Sequence, residues 1–404
     1  MELKMQKSQK LISRIFYSTY IVFLFSGFAS LIGSTLNGII ISRFFGADAI
    51  GAFGFAGPYV YFVDALAVGL SAGTQVICGR YIGQGKPKEA NQVLTGTVLV
   101  TVAISALAWL VFFVFPTGVA CALGATSEAG AMQINVIRYL QGCVIGLPAI
   151  IIMTVLCPLM QMDGDKIRAL AAIVVMTAVS TLGNIFVPLV VYAANHNTAF
   201  SMFCLGLSSS IGYYVALLIL LLHFFQKDRI FRFNGDTVRI TGLLGVLSNG
   251  IPNMLNRGGS VLRSIAINWV VFTFAGPVGM VAYSVTETFT SIPGRANKAY
   301  GQTSLALGGI VMGEGKSESL ENLLKQAFKH ALLGIGVRVL ILLFFASFIA
   351  KIYLPENEEA AAITAVGIRL YGLSLIPGVV SLTTMNGSFN AIAQNLDTVK
   401  SLLN

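Results

Sequence analysis

The sequence predicts an all-α, polytopic membrane protein made of two pseudo-symmetric helical lobes. Three observations predict it. Of 404 residues, 55% are hydrophobic and 11% charged, whereas a soluble protein carries about 25% charged residues. The charges cluster and leave apolar runs of 20 residues or more, each long enough to cross a hydrocarbon core about 30 Å thick. Finally, Phe44, Gly46, Ala52, Gly79, Gly83, Gly85, Lys86 and Leu94 recur at a constant offset of 230 as Phe274, Gly276, Ala282, Gly309, Gly313, Gly315, Lys316 and Leu324. An apolar chain that repeats itself at half-length scale reads as a two-lobed transporter.

Ten spans follow from the apolar runs: 16–41, 52–79, 92–115, 134–160, 169–194, 201–225, 243–273, 280–311, 331–353 and 364–393. The first is too long for a signal-peptide core and has no small-residue cleavage site in the right place. One set of loops carries Lys4, Lys7, Lys10 and Arg14, then Arg80, Lys86 and Lys88, then Lys166 and Arg168, then Lys227, Arg229, Arg232 and Arg239, then Lys316, Lys325 and Lys400. The alternate loops hold Arg43 beside Asp48, Glu128, His196, and the acidic run at Glu356, Glu358 and Glu359. Cytoplasmic loops are enriched in Lys and Arg, so both ends of this chain are expected inside. The net charge of +9 is spread over these loops rather than along one basic stripe, which argues against nucleic acid. The five cysteines lack ligand spacing and read as small apolar helix residues.

The repeat extends further. Ile137 and Arg138 open the fourth span as Ile368 and Arg369 open the tenth, with Pro148 and Pro377 following. Asp165 to Arg168 matches Asp397 to Lys400 in charge pattern. Two spans follow that loop in the first half and none in the second. The expectation is an N-terminal six-helix lobe over 1–232 and a C-terminal lobe over 233–404 with four helices of an expected six, as in a truncated chain.

These residues carry a resemblance. The run from Asn37 to Ala52, Pro58, the run from Gly69 to Gln75, Gly83 with Gly85, the run from Gln161 to Arg168, and Gly250 with Pro252 together resemble the multidrug and toxic-compound extrusion (MATE) family, prokaryotic type. The resemblance implies twelve helices in two six-helix lobes around a central cavity. It also implies export of cationic or amphipathic organic compounds in exchange for protons or sodium ions, in a bacterial cytoplasmic membrane. The chain departs from the family pattern at three places. Asn37 stands where many relatives have Asp in the first helix. Asn253, Asn256 and Arg257 stand where some have Glu in the seventh. Pro188, four residues after Asn184, stands where an Asp is frequent in the fifth.

Polar groups inside a membrane are costly and face a cavity or a partner. Asp64 lies mid-span in the second helix and Glu287 within the eighth. Each fits a proton carrier, since desolvation raises a carboxyl pKa, and each fits a structural ion pair with a buried Arg. Asn249, Asn253, Asn256, Ser260 and Arg263 are spaced 4, 3, 4 and 3, which places them on one helical face. Ser284, Glu287, Ser291, Arg295 and Lys298 form a second stripe. Such stripes line a wet interior or a packed polar seam. A milder stripe joins Ser26, Ser30, Ser34 and Asn37 on the first helix to Tyr61, Asp64, Ser71 and Gln75 on the second. An amide cannot titrate, so Asn37 could hold substrate or a cation but not carry a proton. Prolines 58, 148, 252, 293 and 377 read as hinges or as static kinks. The substrate- or ion-binding candidates are therefore Asn37, Asp64, Gln75, Asn184, Asn253, Asn256, Arg257, Arg263 and Glu287, with no catalytic and no metal-ligating residue.

Enzyme signatures are missing: no HExxH, no GxSxG, and a Gly83-to-Lys86 run that follows a membrane helix rather than a strand. The expected protein has no cofactor beyond a coupling ion, H+ or Na+. Its partners are a small-molecule substrate and the lipid bilayer, and it is a monomer. Two rival readings stay open. A flippase of lipid-linked oligosaccharides would use Arg257, Arg263, Arg295 and Lys298 against a pyrophosphate. A transport-inactive membrane protein would follow from missing helices.

Overall fold

A computed structural model describes residues 38–226, 229–232, 240–313, 317–355 and 357–384, and these are helices and their connections. The elements are α1 (Ala47–Phe55), α2 (Gly57–Gly83), α3 (Pro87–Val114), α4 (Pro116–Ala122), α5 (Ala131–Ile145), α6 (Leu147–Met162), α7 (Lys166–Phe186), α8 (Thr198–Leu221), α9 (Ile240–Gly313), α10 (Ser317–Tyr353) and α11 (Glu358–Thr384). Among the described residues, seven helical stretches are long and apolar enough to cross a membrane, or eight with the bent pair α5–α6 counted as one span. The first expected span, 16–41, lies outside the described residues except for its last turn.

Local sequence starts and stops these helices. Pro87 opens α3 where its missing N–H costs nothing, and Glu89 in the same turn complements the helix dipole, as Arg80 does in the last turn of α2. Asn197 caps α8, its Oδ1 accepting from the Phe200 N–H at 3.0 Å.

The chain divides into two compact units. The first spans Ile39–Ser284. Its core holds Ile50, Phe55, Leu94, Met132, Leu140, Leu147 and Ile151, all essentially inaccessible. α5 and α6 meet at a 46° bend where Gly146 interrupts the helix and Pro148 follows. A proline there cannot donate to the carbonyl four residues back, and inside a membrane freed carbonyls must find other donors. They do. Trp109 Nε1 donates to Val144 O at 2.6 Å, Tyr214 Oη to Ile145 O at 2.8 Å, and Ser210 Oγ to Gly142 O at 2.7 Å. The kink expected at Pro148 is thus built into the packing of α3 and α8 around it. Pro188 acts similarly. It cannot donate to Asn184 O, and the chain winds as a π-helix over Val187–Tyr192.

The duplication reaches the backbone. Gly46 adopts φ 84°, ψ −174° and Gly276 adopts φ 59°, ψ −158°, a region open essentially to glycine alone. Gly46 separates the helix over 38–45 from α1, and Gly276 breaks α9 between the expected spans 243–273 and 280–311. The repeated alanines, Ala52 and Ala282, are both buried, and the repeated phenylalanines, Phe44 and Phe274, are both exposed.

The second unit contains Gly38 and the described residues from Val285 onward. In it α10 and α11 pack as an antiparallel pair across a short loop. Asn357 Oδ1 caps α11 by accepting from the Ala360 N–H at 2.9 Å. Gly372 lies against Leu342, and Arg369 Nη2 donates to Ser347 Oγ at 3.1 Å.

Candidate functional site

α2 and the first half of α9 approach closely because small residues line the seam. A Cβ on Gly73 would strike the carbonyl of Val246, and one on Gly250 would strike that of Gly69. Close backbone approach of this kind is how membrane helices associate without a hydrophobic driving force. One to two turns along the same seam, Arg257 Nη1 donates to Asp64 Oδ2 at 2.7 Å. Asp64 is at the middle of the apolar stretch Ala47–Ile82, and Arg257 is midway between Ile240 and the Gly276 break. The two side chains are 42% and 43% exposed, so the pair is open on one side rather than sealed in the core.

The other expected residues are placed separately. Gln75 Nε2 donates to Ser71 Oγ at 3.1 Å, and Ser71 Oγ donates to Thr154 O at 2.8 Å, tying α2 to α6. Asn184 is buried at the start of the π-helical turn, its Oδ1 accepting from Ser208 Oγ at 2.6 Å. Asn253 and Arg263 are exposed on α9. Asn249, on the expected stripe, donates back along its own helix to Gly245 O at 2.8 Å. Glu287 is half-buried and belongs to the second unit. Asn37 lies outside the described residues, as do the side chains of Asn256, Arg295 and Lys298. Of the nine candidates, Asp64 and Arg257 are thus the pair brought into contact. Among the described residues, no group of three or more His, Cys, Asp or Glu could hold a metal ion.

A second polar centre was not expected from the sequence. Asp163 and Asp165 stand in the turn after α6, held by Gly164 at φ 82°. His223, fully buried in the 3-10 turn that ends α8, places Nδ1 2.9 Å from Asp165 Oδ2 and Nε2 3.0 Å from Asp163 Oδ2. Arg168 Nη1 lies 2.9 Å and Arg229 Nη2 3.8 Å from Asp165 Oδ2. Burial pushes the Asp165 carboxyl up. The His223 hydrogen bond and the Arg168 and Arg229 charges outweigh burial and hold it below its ordinary value. A depressed carboxyl contributes stability in full above its ordinary pKa, and that stability is lost as pH falls through the folded value. Asp163 also accepts from the Ile230 and Phe231 N–H groups at 3.1 and 3.3 Å, Arg229 Nη1 donates to Asp163 O at 2.8 Å, and Asn91 brackets the segment by donating to Ile230 O at 3.1 Å and accepting from the Arg232 N–H at 3.0 Å. The available signal was a histidine closing a span of the same face as a DGD turn.

Comparisons with known proteins bear on the fold. The MatE family model matches residues 23–189. No curated protein matches the sequence. The fold is similar to the solved structure of an inward-facing multidrug resistance MATE family transporter of the MOP superfamily, at 19% identity and TM-score 0.79, over 90% of this chain and 81% of that one. It is similar to an outward-facing multidrug resistance MATE family transporter at 18% identity and TM-score 0.66, over 95% and 83%. It is also similar to a MOP superfamily transporter from Pyrococcus furiosus described as having a binding pocket of reverse polarity, at 19% and TM-score 0.67, over 95% and 84%. The solved structures of similar fold are described as transporters. The MatE family model thus matches residues 23–189, and the chain shares the multi-pass helical fold of the solved MATE transporters.

Proposed function

We propose that the chain is a secondary active exporter of small organic compounds, cationic or amphipathic. It works by alternating access with 1–232 and 233–404 as its lobes, and is driven by exchange for protons or sodium ions. The observation that carries this reading is the Asp64–Arg257 pair, half-exposed at the middle of the apolar helical stretch Ala47–Ile82. Opposite charges left facing lipid would be costly, so the pair marks a water-lined path. A cationic substrate can displace Arg257 from Asp64, and the freed guanidinium then repels it toward release. Asn37 and Pro188 stand where the resembled family commonly has carboxylates, so the coupling carboxylate lies elsewhere, and Glu287 is the proposed carrier. Glu287→Gln is expected to abolish proton-driven efflux while leaving substrate binding within about twofold. Wild-type pH dependence of transport in that variant would remove Glu287 from the role.

The proposed setting is a bacterial cytoplasmic membrane, with a monomeric protein and both ends of this chain inside. Glu359→Cys, in a background without the five native cysteines, is expected to react with an impermeant thiol reagent from outside intact cells. Labelling that requires permeabilisation would reverse the orientation. A second reading, export of an anionic lipid-linked oligosaccharide, is favoured by the exposed Arg263 on the helix of Arg257. It also draws on the reverse pocket polarity described for the Pyrococcus furiosus protein of similar fold. Competition of substrate binding by organic cations, but not by pyrophosphate, separates the two.

A further inference from the structure

We propose that His223 is a proton-operated latch. With both ring nitrogens protonated it ties the connector Arg229–Arg232 to the turn after α6, and loss of one ring proton releases that connector. Two ring donors satisfy both contacts at once. Each ring nitrogen lies within 3.0 Å of a carboxylate oxygen, and the ring has no exposed surface through which water could intervene. A neutral imidazole offers one N–H and one lone pair, and a lone pair turned to a carboxylate at that distance is repulsive. Among the described residues, the charged or titratable groups around the ring are Asp163 and Asp165 from the turn after α6, Arg168 from α7 and Arg229 from the connector. The Phe224 ring stands edge-on with its centroid 5.6 Å away.

The two carboxylates depend on the ring unequally. Asp165 has a second charged partner, Arg168, at 2.9 Å. Asp163 has the ring nitrogen at 3.0 Å and, beyond it, backbone N–H groups at 3.1 to 3.3 Å. Those N–H groups belong to Ile230 and Phe231, so the carboxylate that would lose its charged partner is the one that holds the connector. Phe231, 1% exposed, is the side chain the latch keeps seated. The connector leads from α8 into the first half of α9, both within the first unit. Closure needs only contacts inside the first unit. In the orientation proposed above, the latch faces the cytoplasm and senses internal pH.

The test uses the full chain in lipid nanodiscs and no transport assay, so its failure is distinct from failure of the exporter reading. Histidine is labelled with nitrogen-15, and His223→Gln identifies the His223 signal among those of His196 and His330. Spin labels on Lys88→Cys and Arg232→Cys, with the native cysteines replaced, report the position of the connector. At the acid end of a pH series the expected result is a ring carrying two protons and a single narrow distance. As pH rises, loss of the second ring proton and broadening of the distance are expected at the same midpoint. His223→Gln, with unchanged helical content, is expected to show the broad distribution at every pH. A ring with one proton beside a narrow distance overturns the proposal. So does a narrow distance that survives loss of the ring proton or the His223→Gln change, and so does a ring that keeps both protons to pH about 10. If His223→Gln fails to fold, the pH series of the unaltered histidine decides alone.

Discussion

Arg257→Ala is expected to lower the initial rate of organic-cation efflux from proteoliposomes at least tenfold while the protein still folds. The substitution leaves Asp64 without its 2.7 Å partner at the middle of an apolar helical stretch, and an isolated charge at the centre of a membrane helix costs about 2.5–3.5 kcal/mol on insertion scales. A factor of ten corresponds to about 1.4 kcal/mol, so even a solvent-discounted share of that cost suffices. Asp64→Asn should lose less binding of neutral amphipaths than of cations, because the amide keeps its size and loses its charge. The exchanged pair Asp64→Arg with Arg257→Asp should recover part of the loss, since interacting residues couple in a double-mutant cycle. Wild-type efflux in Arg257→Ala would take the pair off the transport path.

Gly73→Ala is expected to destabilise the first unit by about 1–3 kcal/mol, the range for overpacking a tight contact. The neighbour that must yield is the backbone carbonyl of Val246 rather than a flexible side chain. Gly259 is the control: a Cβ there meets nothing within 4 Å, so Gly259→Ala should be neutral or stabilise the helix by about 0.5–1 kcal/mol. Thermal unfolding in detergent, followed by circular dichroism, reads both. Equal melting temperatures for the two variants would mean that the α2–α9 seam is not a close glycine contact.

The helical class, the multi-pass character and the repeat were legible because each rests on long-range sequence statistics. Apolar length sets the spans, and the constant offset between Gly46 and Gly276 identifies two positions that share one glycine-specific conformation. The bend at Pro148 was legible because proline removes a donor whatever surrounds it. Its three replacement donors, Trp109, Ser210 and Tyr214, were not, since each comes from another helix. The site was only partly legible. Asp64 and Arg257 were singled out as charges within apolar runs, but their contact spans 193 positions, and periodicity says which face a residue takes, not which helix it meets. The expected stripe on α9 is split in use, since Asn249 bonds its own helix whereas Asn253 and Arg263 are exposed. His223 was passed over because a histidine at a span end has no local signature. Its partners Asp163 and Asp165 lie about 60 positions away, and only the fold sets them on either side of the ring.

The central claim is gradient-driven export. Its most direct measurement is efflux of a fluorescent organic cation from proteoliposomes containing the unaltered protein, with an imposed proton gradient, an imposed sodium gradient, or neither. Faster efflux with one of the two gradients, collapse of that rate on adding the matching ionophore, and no response to ATP are the expected results. Equal rates with and without both gradients, no faster than from protein-free vesicles, would contradict it.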